Sequence, residues 1–400
     1  MKVALVTETY PPEVNGVAMT LSRLTGGLVA QGHAVEVVRP RQKDEVDGAV
    51  AEPLDGAGNR GMAQWLVPGA PIPFYKTLRM GLPVQGALVK RWRETQPDVV
   101  HVATEGPLGL AALNAAKKLG LPVTSSYHTN FHQYGGHYGL RFGRDLALLY
   151  MRWFHNQASC TLAPTDEMCA QLAGEGFERL RTLARGVDGK LFSPGKRSEE
   201  LRASWGVGPD DPVVIYVGRI AAEKNLGQAV EAFLAMQAVE PRAKFVLVGD
   251  GPEKAGLAAK HPEFHYAGMR RGEELAAHYA SADVFVFAST TETFGNVVTE
   301  ALASGLVVVA YDYAATRQHV RDGVNGFAAV FGDKPALVAK ARGVMRRREE
   351  WAAIRGAARA TALTITWDAI IETFERELRA AIEARAAAGR AAVEVTAVSR

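Results

Sequence analysis

The sequence predicts an α/β protein made of two doubly wound domains, each with a parallel sheet. Two observations lead to this prediction. Strand and helix patterns alternate along the first half of the chain, and the same alternation begins again in the second half. The length of 400 residues also exceeds the roughly 150 residues of one ordinary domain.

The first half alternates strands and helices in the order that builds a parallel sheet. Short apolar runs predict the strands, and apolar residues at helical spacing predict the helices. The predicted strands are residues 2–7, 34–39, 99–102, 123–127 and 160–163, and the predicted helices are 18–31, 107–119 and one that begins at Thr165 or Asp166. Residues 45–73 are rich in Gly, Pro and Ala, so we expect an irregular loop there.

The second half repeats this pattern after a turn at Phe192-Ser193-Pro194-Gly195. The predicted strands are 213–217, 244–249, 264–267, 284–287 and 307–310, and the predicted helices are 225–238, 271–280 and 296–303. We therefore place the two domains at 1–195 and 196–365. An apolar stripe then predicts a helix over 366–385, and residues 386–400 are expected to be frayed. The stripe consists of Trp367, Ile370, Ile371, Phe374 and Leu378.

Composition excludes several classes of protein. A net charge of +3 is too small to indicate nucleic-acid binding. No apolar run reaches the roughly 18 residues that span a bilayer, and the first one, 3–7, is too short for a signal peptide. We expect a cytoplasmic protein. Cys160 and Cys169 make neither a disulfide framework nor a metal cluster, and we expect free thiols.

Two loops of the second half carry charged residues between a strand and a helix. Arg219 and Lys224 could neutralise a diphosphate, or could be solvated charges of a surface turn. Glu292 and Glu300 could accept hydrogen bonds from sugar hydroxyls, beside Gly295 and the free N–H groups of a helix start. Favourable electrostatics at a helix N-terminus explains one of these glutamates, but not the loop position of Glu292.

Two candidate binding residues of the first half also lie in loops next to a predicted strand or helix. His128 follows the strand at 123–127, and Gly16 closes the first loop, where a plain turn is the alternative. A zinc site at His128 and His132 lacks a third ligand nearby. The glycine fingerprint of dinucleotide-binding proteins, the phosphate-binding P-loop and Asp-x-Asp are all absent from the chain.

Together these segments resemble the retaining nucleotide-sugar glycosyltransferases of glycosyltransferase family 4. The matching motifs, in chain order, are Asn15-Gly16-Val17, the His128 segment, Arg185-Gly186-Val187-Asp188, Gly218-Arg219 with Lys224, Val248-Gly249-Asp250-Gly251-Pro252, and Glu292-x7-Glu300 with Phe294-Gly295. The resemblance implies a GT-B fold, in which two Rossmann-like domains face each other across a cleft. It implies an acceptor-binding N-terminal domain, a donor-binding C-terminal domain and a last helix that crosses back to the N-terminal domain.

Because the chain has no Asp-x-Asp pair, we expect a donor site without a metal ion, and no cofactor is expected. Carried over position by position, the resemblance implies the contacts with the donor. Arg219, Lys224 and Gly16 would bind the donor diphosphate. Glu300 would bind the ribose. The cations then take the place of a metal bound by Asp-x-Asp.

The resemblance also implies the residues at the reacting sugar. His128 and Glu292 would be the catalytic residues that contact the transferred hexose, with Phe294, Gly295 and Asn296 beside Glu292. The family retains anomeric configuration. Its favoured mechanism is front-face attack, in which the leaving phosphate accepts the acceptor's proton.

Within the family, the chain resembles GDP-mannose-dependent α-mannosyltransferases and bacterial diacylglycerol glycosyltransferases. GDP-mannose, UDP-glucose and UDP-glucuronate remain open as donors, and the acceptor would be a lipid or a lipid-linked glycan. A sugar-nucleotide epimerase or hydrolase of the same fold is the alternative, although its usual carboxylate and histidine set differs. A sugar-binding protein without enzymatic activity would need an export signal, and none is visible in the sequence, so we disfavour this class.

A basic segment raises the prospect of membrane docking. Residues 76–93 interleave five Lys or Arg residues with apolar residues, a pattern that can lie on an anionic bilayer. The alternative is an ordinary surface helix whose apolar side packs on the sheet. The first interpretation predicts peripheral docking of the N-terminal domain on the inner face of the plasma membrane.

Overall fold

The computed structural model describes residues 1–13, 15–43, 45–48, 62–72, 75–128 and 141–398. The chain forms two compact units. Unit 1 comprises Met1–Ala184 and Asp368–Arg400, and unit 2 comprises Arg185–Trp367. Each unit has its own parallel sheet with flanking helices, which confirms the predicted α/β class.

Unit 1 is built on a seven-stranded sheet. The sheet consists of β1 Lys2–Val6, β2 Ala34–Pro40, β3 Met62–Val67, β6 Val99–Val102, β7 Val123–Ser126, β8 Cys160–Ala163 and β9 Leu180–Thr182. Two further strands, β4 Gly69–Ile72 and β5 Tyr75–Gly81, lie outside it. Its helices up to Ala184 are α1 Gly16–Ala30, α2 Gln85–Thr95, α3 Pro107–Leu119, α4 Arg141–His155 and α5 Asp166–Gly174.

The strand order of unit 1 places a switch point at its centre. The parallel order is β3-β2-β1-β6-β7-β8-β9, and β4 and β5 form a separate antiparallel pair. The order reverses between β1 and β6. In open sheets of this kind, ligands bind beyond the carboxyl ends of the strands at such a point.

Unit 2 repeats this architecture with six strands. They are β10 Val213–Val217, β11 Lys244–Val248, β12 His265–Gly268, β13 Val284–Phe287, β14 Val307–Tyr311 and β15 Phe327–Ala329, in the parallel order β12-β11-β10-β13-β14-β15. The helices are α6 Glu199–Ser204, α7 Leu226–Gln237, α8 Lys254–Lys260, α9 Gly272–Ser281, α10 Asn296–Ala303, α11 Ala315–His319, α12 Lys334–Arg346 and α13 Trp351–Ala362. Every residue of β10, β13 and β14 is buried, as expected for parallel strands covered on both faces.

The chain passes between the units earlier than the sequence predicts. The predicted boundary lies at 195/196, whereas the structure divides the chain after Ala184. The intervening residues are bound to unit 2. Val187 N–H donates to the Ile365 carbonyl at 2.9 Å, and the Arg359 guanidinium donates to the carbonyls of Gly189 and Phe192, each at 2.7 Å.

The predicted loop over 45–73 is wrong for its second half, which contains β3 and β4. The sequence hides β3 because its buried position Gln64 is polar. Gln64 Oε1 accepts a hydrogen bond at 2.8 Å from Nε of Arg39, which is itself buried on β2. This contact satisfies the amide oxygen of Gln64 inside the sheet.

The basic segment at 76–93 is divided between β5 and α2. The apolar residues Leu88, Val89 and Trp92 of α2 are buried in the core of unit 1. Arg91 bonds to Glu36 of β2, and its guanidinium lies 4.9 Å from the Trp65 ring centroid. The structure therefore favours the ordinary surface helix over the membrane-docking interpretation for α2.

The last helix, α14 Trp367–Val398, extends through most of the predicted frayed tail. Residues 386–398 are rich in Ala, the strongest helix former. From Asp368 onward α14 belongs to unit 1. His33 Nε2 lies 3.0 Å from Glu375 Oε1, and the Phe374 ring meets His101 edge-on at 4.9 Å. The predicted helix over 366–385 is thus the first part of a longer one.

A close backbone crossing fixes the two loops that leave β10 and β11. Gly249, directly after β11, has φ +141°, and a Cβ atom there would lie 2.0 Å from the Gly218 carbonyl oxygen. Gly218 N–H donates to Val248 O at 3.0 Å, and Ile220 N–H donates to Asp250 O at 2.9 Å. Only glycine permits this approach, which holds the loop before α7 in place.

We predict that Gly249→Ala lowers the free energy of unfolding by about 3 kcal/mol, because the new methyl group meets backbone that cannot move aside. Urea unfolding of the full chain measures the change. Gly256→Ala is the matched control, since a Cβ there meets nothing within 4 Å on α8. A Gly249→Ala variant as stable as this control would contradict the crossing.

Candidate active site

The loop between β10 and α7 is tied to the loop between β13 and α10. Asn225 has φ +51° and stands immediately before α7. Its Nδ2 donates to Thr290 Oγ1 at 2.9 Å and to the Ala288 carbonyl at 3.3 Å. Thr291 Oγ1 donates in return to the Glu223 carbonyl at 2.9 Å. Both loops leave the carboxyl edge of the sheet at its switch point, because β10 and β13 are neighbours.

Lys224 and Glu292 form an ion pair across these two loops. Lys224 Nζ lies 2.5 Å from Glu292 Oε1, and the two side chains are 18% and 17% exposed. Ser289 Oγ donates to the same carboxylate oxygen at 2.7 Å, and Tyr313 OH donates to the Glu292 carbonyl at 2.7 Å. The Glu292 carboxylate is therefore fixed in a largely buried position but remains partly accessible to solvent.

Arg219 lies on the same loop but outside this pair. Its side chain is 60% exposed, and Nη1 lies 3.2 Å from Glu223 Oε1. An exposed pair four residues apart stabilises by about 0.5 kcal/mol or less. The guanidinium can therefore exchange this partner for a more strongly charged one.

The start of α10 follows Glu292 directly. Phe294 is buried, and its carbonyl accepts a hydrogen bond at 2.8 Å from Ala315 N–H. Gly295 then takes φ +89°, a conformation that favours glycine, and α10 begins at Asn296. The first N–H groups of a helix lack partners within it, so Asn296 and Val297 offer donors and the positive end of a helix dipole.

Glu300 lies one turn into α10, on the side of α9. Tyr279 OH, from a fully buried ring on α9, donates to Glu300 Oε2 at 3.0 Å. Burial raises the pKa of Glu300 to about 7, although the Tyr279 hydrogen bond acts in the opposite direction. This carboxyl group therefore changes its charge close to neutral pH.

In unit 1, Gly16 begins α1. Asn15 caps that helix through a hydrogen bond at 2.9 Å from Ala18 N–H to Oδ1, and its Nδ2 donates to Thr9 Oγ1 at 2.7 Å. A Cβ atom on Gly16 would meet nothing within 4 Å. No contact among the described residues therefore requires glycine here, which is consistent with approach by a ligand.

His128 is half-buried two residues beyond β7. Its ring thus stands at the carboxyl edge of the unit 1 sheet. His132 and His137, the other histidines of this segment, lie outside the described residues. Within the part of the chain that the structure describes, no group of three His, Cys, Asp or Glu side chains could hold a metal ion.

The structure adds Glu8, which the sequence reasoning did not single out, to the carboxyl edge of unit 1. Its Oε1 accepts a hydrogen bond from Leu108 N–H at 3.1 Å, and its Oε2 accepts one from Gly81 N–H. Burial raises the pKa of Glu8 to about 7, against the lowering effect of these backbone donors. Its position directly after the first strand is the signal that could have indicated it.

The predicted site residues are thus distributed over both units. The structure brings Lys224, Glu292 and the start of α10 together in unit 2, and it places Glu300 within the same helix. The sequence reasoning missed their supporting partners, which are Ser289, Asn225, Tyr279 and Tyr313. No local pattern marks Tyr279, because it lies 21 positions before Glu300.

Known sequences match both units. Residues 14–190 match the family described as Glycosyltransferase Family 4, and residues 197–361 match the family described as Glycosyl transferases group 1. The chain is 36% identical over 334 residues to a GDP-mannose-dependent alpha-mannosyltransferase of Mycobacterium tuberculosis, covering 83% of this chain and 85% of the relative. It is 31% identical over 352 residues to an alpha-monoglucosyldiacylglycerol synthase of Acholeplasma laidlawii, covering 82% and 84%.

Solved structures show the same architecture. A sucrose-phosphate synthase of Thermosynechococcus elongatus has a TM-score of 0.76 at 20% identity, covering 96% of this chain and 99% of that one. Anabaena HepE, in complex with UDP and glucose, has a TM-score of 0.71 at 20% identity, covering 95% and 100%. These likenesses establish the GT-B fold. The sequence matches show that the chain belongs to glycosyltransferase family 4 and is a glycosyltransferase.

Proposed function

We propose that the enzyme transfers mannose from GDP-mannose to a lipid or lipid-linked glycan, with retention of configuration and without a metal ion. The names of the relatives support the donor, since those at 34–36% identity are described as GDP-mannose-dependent. UDP-glucose and UDP-glucuronate are the alternative donors. The single observation that supports the proposal most is the Lys224–Glu292 pair at the start of α10.

This pair suits a nucleotide-diphosphate sugar because it offers a cation for the diphosphate and a carboxylate acceptor for the sugar hydroxyls. The Lys224 ammonium would bind the diphosphate, and the exposed Arg219 guanidinium would join it from the same loop. Glu292 would then accept hydrogen bonds from hydroxyls of the hexose, with Phe294, Gly295 and Asn296 beside it. When the donor binds, contacts of Lys224 with the diphosphate and of Glu292 with the hexose would replace the ion pair between them.

Glu300 would bind the ribose of the donor. An ionised carboxylate can accept hydrogen bonds from two neighbouring hydroxyls, whereas a protonated one donates one and accepts less well. Its raised pKa, about 7, makes this role dependent on pH. Tyr279 would orient the carboxylate through the bond to Oε2.

The transfer step would proceed on one face of the sugar. The acceptor hydroxyl oxygen forms a bond to the anomeric carbon, the bond to the leaving phosphate oxygen breaks, and the acceptor's proton passes to that phosphate oxygen. Lys224 and Arg219 would stabilise the charge on the leaving diphosphate. Glu292 is held by Lys224 and Ser289, which supports a role in binding rather than as a nucleophile.

Unit 1 would supply two further residues to this reaction. Gly16 would let its loop approach the donor phosphate, and the open space around its Cα supports that role. His128 would contact the transferred sugar. Both assignments rest on the family resemblance and on the position of each residue at the carboxyl edge of its sheet.

A lipid acceptor is supported by the relatives. Alpha-monoglucosyldiacylglycerol synthases of two bacteria are 29–31% identical to the chain. None of the described helices is both long enough and apolar enough to cross a bilayer. We propose peripheral docking on the inner face of the plasma membrane, from the cytoplasm.

A donor panel tests the proposed function. The enzyme is incubated with membrane lipid extract and GDP-mannose, UDP-glucose or UDP-glucuronate, and release of GDP or UDP is followed with the product's anomeric configuration by NMR. We expect GDP release and an α-mannosyl lipid, unchanged by EDTA. An inverted product would disprove the retaining mechanism, and loss of activity in EDTA that manganese reverses would disprove metal independence. Release of UDP but not GDP would identify one of the alternative donors.

We predict that Lys224→Ala lowers kcat by about 100-fold or more at saturating donor, because the lost contact strengthens as the leaving diphosphate gains charge. Initial rates of nucleotide release measure the effect. Lys260→Ala, which removes an exposed lysine from α8, is the matched control and should keep wild-type turnover. Wild-type turnover in Lys224→Ala would rule out the assignment.

The pH dependence of donor binding should report Glu300. Below pH 7 the carboxyl group takes up a proton and loses an acceptor for the ribose, so the donor KM should rise as the pH falls from 8 to 6. Glu300→Gln cannot ionise, and its KM should be high and nearly constant over this range. A wild-type KM without pH dependence here would contradict the ribose assignment.

A further inference from the structure

The turn that follows β14 contains an alanine in a backbone conformation that favours glycine. Ala314 is buried and has φ +51° and ψ −126°. Thr316 N–H donates to the Tyr313 carbonyl at 3.1 Å, which closes a four-residue turn with Ala314 at its first central position. These angles are those of a type II′ turn, where glycine is the usual residue at this position. Backbone strain of this kind persists only where the surrounding structure holds it, and it is frequent at functional sites.

Two hydrogen bonds connect this turn to residues 292–295, the segment directly before α10. Tyr313 OH donates to the Glu292 carbonyl at 2.7 Å, and Ala315 N–H donates to the Phe294 carbonyl at 2.8 Å. The two donors lie on either side of Ala314. Because peptide groups are planar, φ and ψ of Ala314 set the orientation of the Ala315 N–H relative to Tyr313. A negative φ would change that orientation, so the strained conformation is the one in which both donors reach the segment.

Aromatic contacts hold the turn and α11 against the same segment. Phe331, two residues beyond β15, packs on Tyr313 with ring centroids 4.6 Å apart. The His319 ring, at the end of α11, meets the buried Phe294 ring edge-on at 6.0 Å. The turn is therefore supported by a neighbouring strand, and the segment is in contact with it through both carbonyls and through the Phe294 side chain.

We infer that the turn at 313–316 positions segment 292–295 for sugar binding and that Ala314 is a positioning residue of the transfer reaction. The inference rests on the proposed function, in which this segment contacts the transferred hexose. Ala314 acts through the Glu292 and Phe294 carbonyls, and each fixed carbonyl fixes the planar peptide group to which it belongs. A misplacement of about 1 Å in a substrate-positioning group can cost roughly 100-fold in rate, so the strained turn serves the preorganisation of the segment.

Tyr313→Phe tests the hydroxyl contact. This variant keeps the ring on Phe331 but loses the donor to the Glu292 carbonyl. We expect kcat/KM for the sugar donor to fall about tenfold. The inhibition constant of the released nucleoside diphosphate should stay within about twofold of the wild-type value, because that product lacks the hexose. Wild-type kcat/KM, or an equal loss of affinity for the nucleoside diphosphate, would overturn the positioning role.

Tyr311→Phe is the matched control for this substitution. The Tyr311 hydroxyl donates to Gln228 rather than to segment 292–295, and its ring also faces Phe331, with centroids 6.2 Å apart. The control should therefore keep the wild-type values of both constants. An equal loss in both tyrosine variants would assign the effect to general packing and overturn the inference.

Two substitutions of Ala314 test the turn itself. Ala314→Gly relieves the strain, so its urea midpoint should rise, whereas Ala353→Gly, at an exposed position of α13, should lower the midpoint. Ala314→Val should lower kcat/KM by at least roughly tenfold, because a β-branched residue does not keep a positive φ and displaces the turn. A midpoint of Ala314→Gly below that of the wild type would overturn the strain on which the inference depends. Should Ala314→Val not fold, Tyr313→Phe and Ala314→Gly decide the test.

Glu292→Gln, measured in the same assay, separates this inference from the proposed function. Loss of kcat/KM in Glu292→Gln together with the selective loss in Tyr313→Phe supports both. Loss in Glu292→Gln with wild-type kinetics in Tyr313→Phe and Ala314→Val overturns the inference and leaves the function standing. Wild-type kinetics in Glu292→Gln contradicts the proposed hexose contact itself, and the inference falls with it.

Discussion

The parallel pairing of β10 with β13 is the constraint on which the candidate donor site depends. Val214 pairs with Val284 and Ile215 with Phe285, although 70 positions separate the partners. This pairing brings the loops that leave the two strands to one point on the carboxyl edge. Lys224 and Glu292 can meet only because their strands are neighbours at the switch point.

Supporting contacts turn this proximity into a defined geometry. The backbone crossing at Gly249 fixes the loop before α7, and Asn225 links that loop to Thr290. Ser289 and Tyr313 hold Glu292 from its own side. The ion pair is therefore preorganised by neutral hydrogen bonds, so a ligand that displaces Lys224 from Glu292 meets a carboxylate already in position.

The sequence predicts the strands of this site better than its contacts. Continuous apolar runs identify β10 and β13 to the residue, because both strands are buried on both faces. Their strand-to-helix loops mark Lys224 and Glu292 each as a candidate ligand-binding residue. Their pairing is not predictable, since it depends on strand order. β3 is missed because its inward residue Gln64 is polar, and the arginine that bonds to its amide oxygen lies 25 positions away in the sequence.

Two amphipathic helices of unit 1 show where sequence periodicity stops being sufficient. Both α2 and α4 combine arginines with large apolar side chains, and periodicity alone assigns each a polar and an apolar face. In α2 the apolar face, including Trp92, is buried in the core. In α4 the core receives Met151 and Phe154, whereas Leu146, Leu149 and Trp153 are exposed. Amphipathicity identifies a face that needs a partner, and the tertiary packing determines whether the fold already provides it.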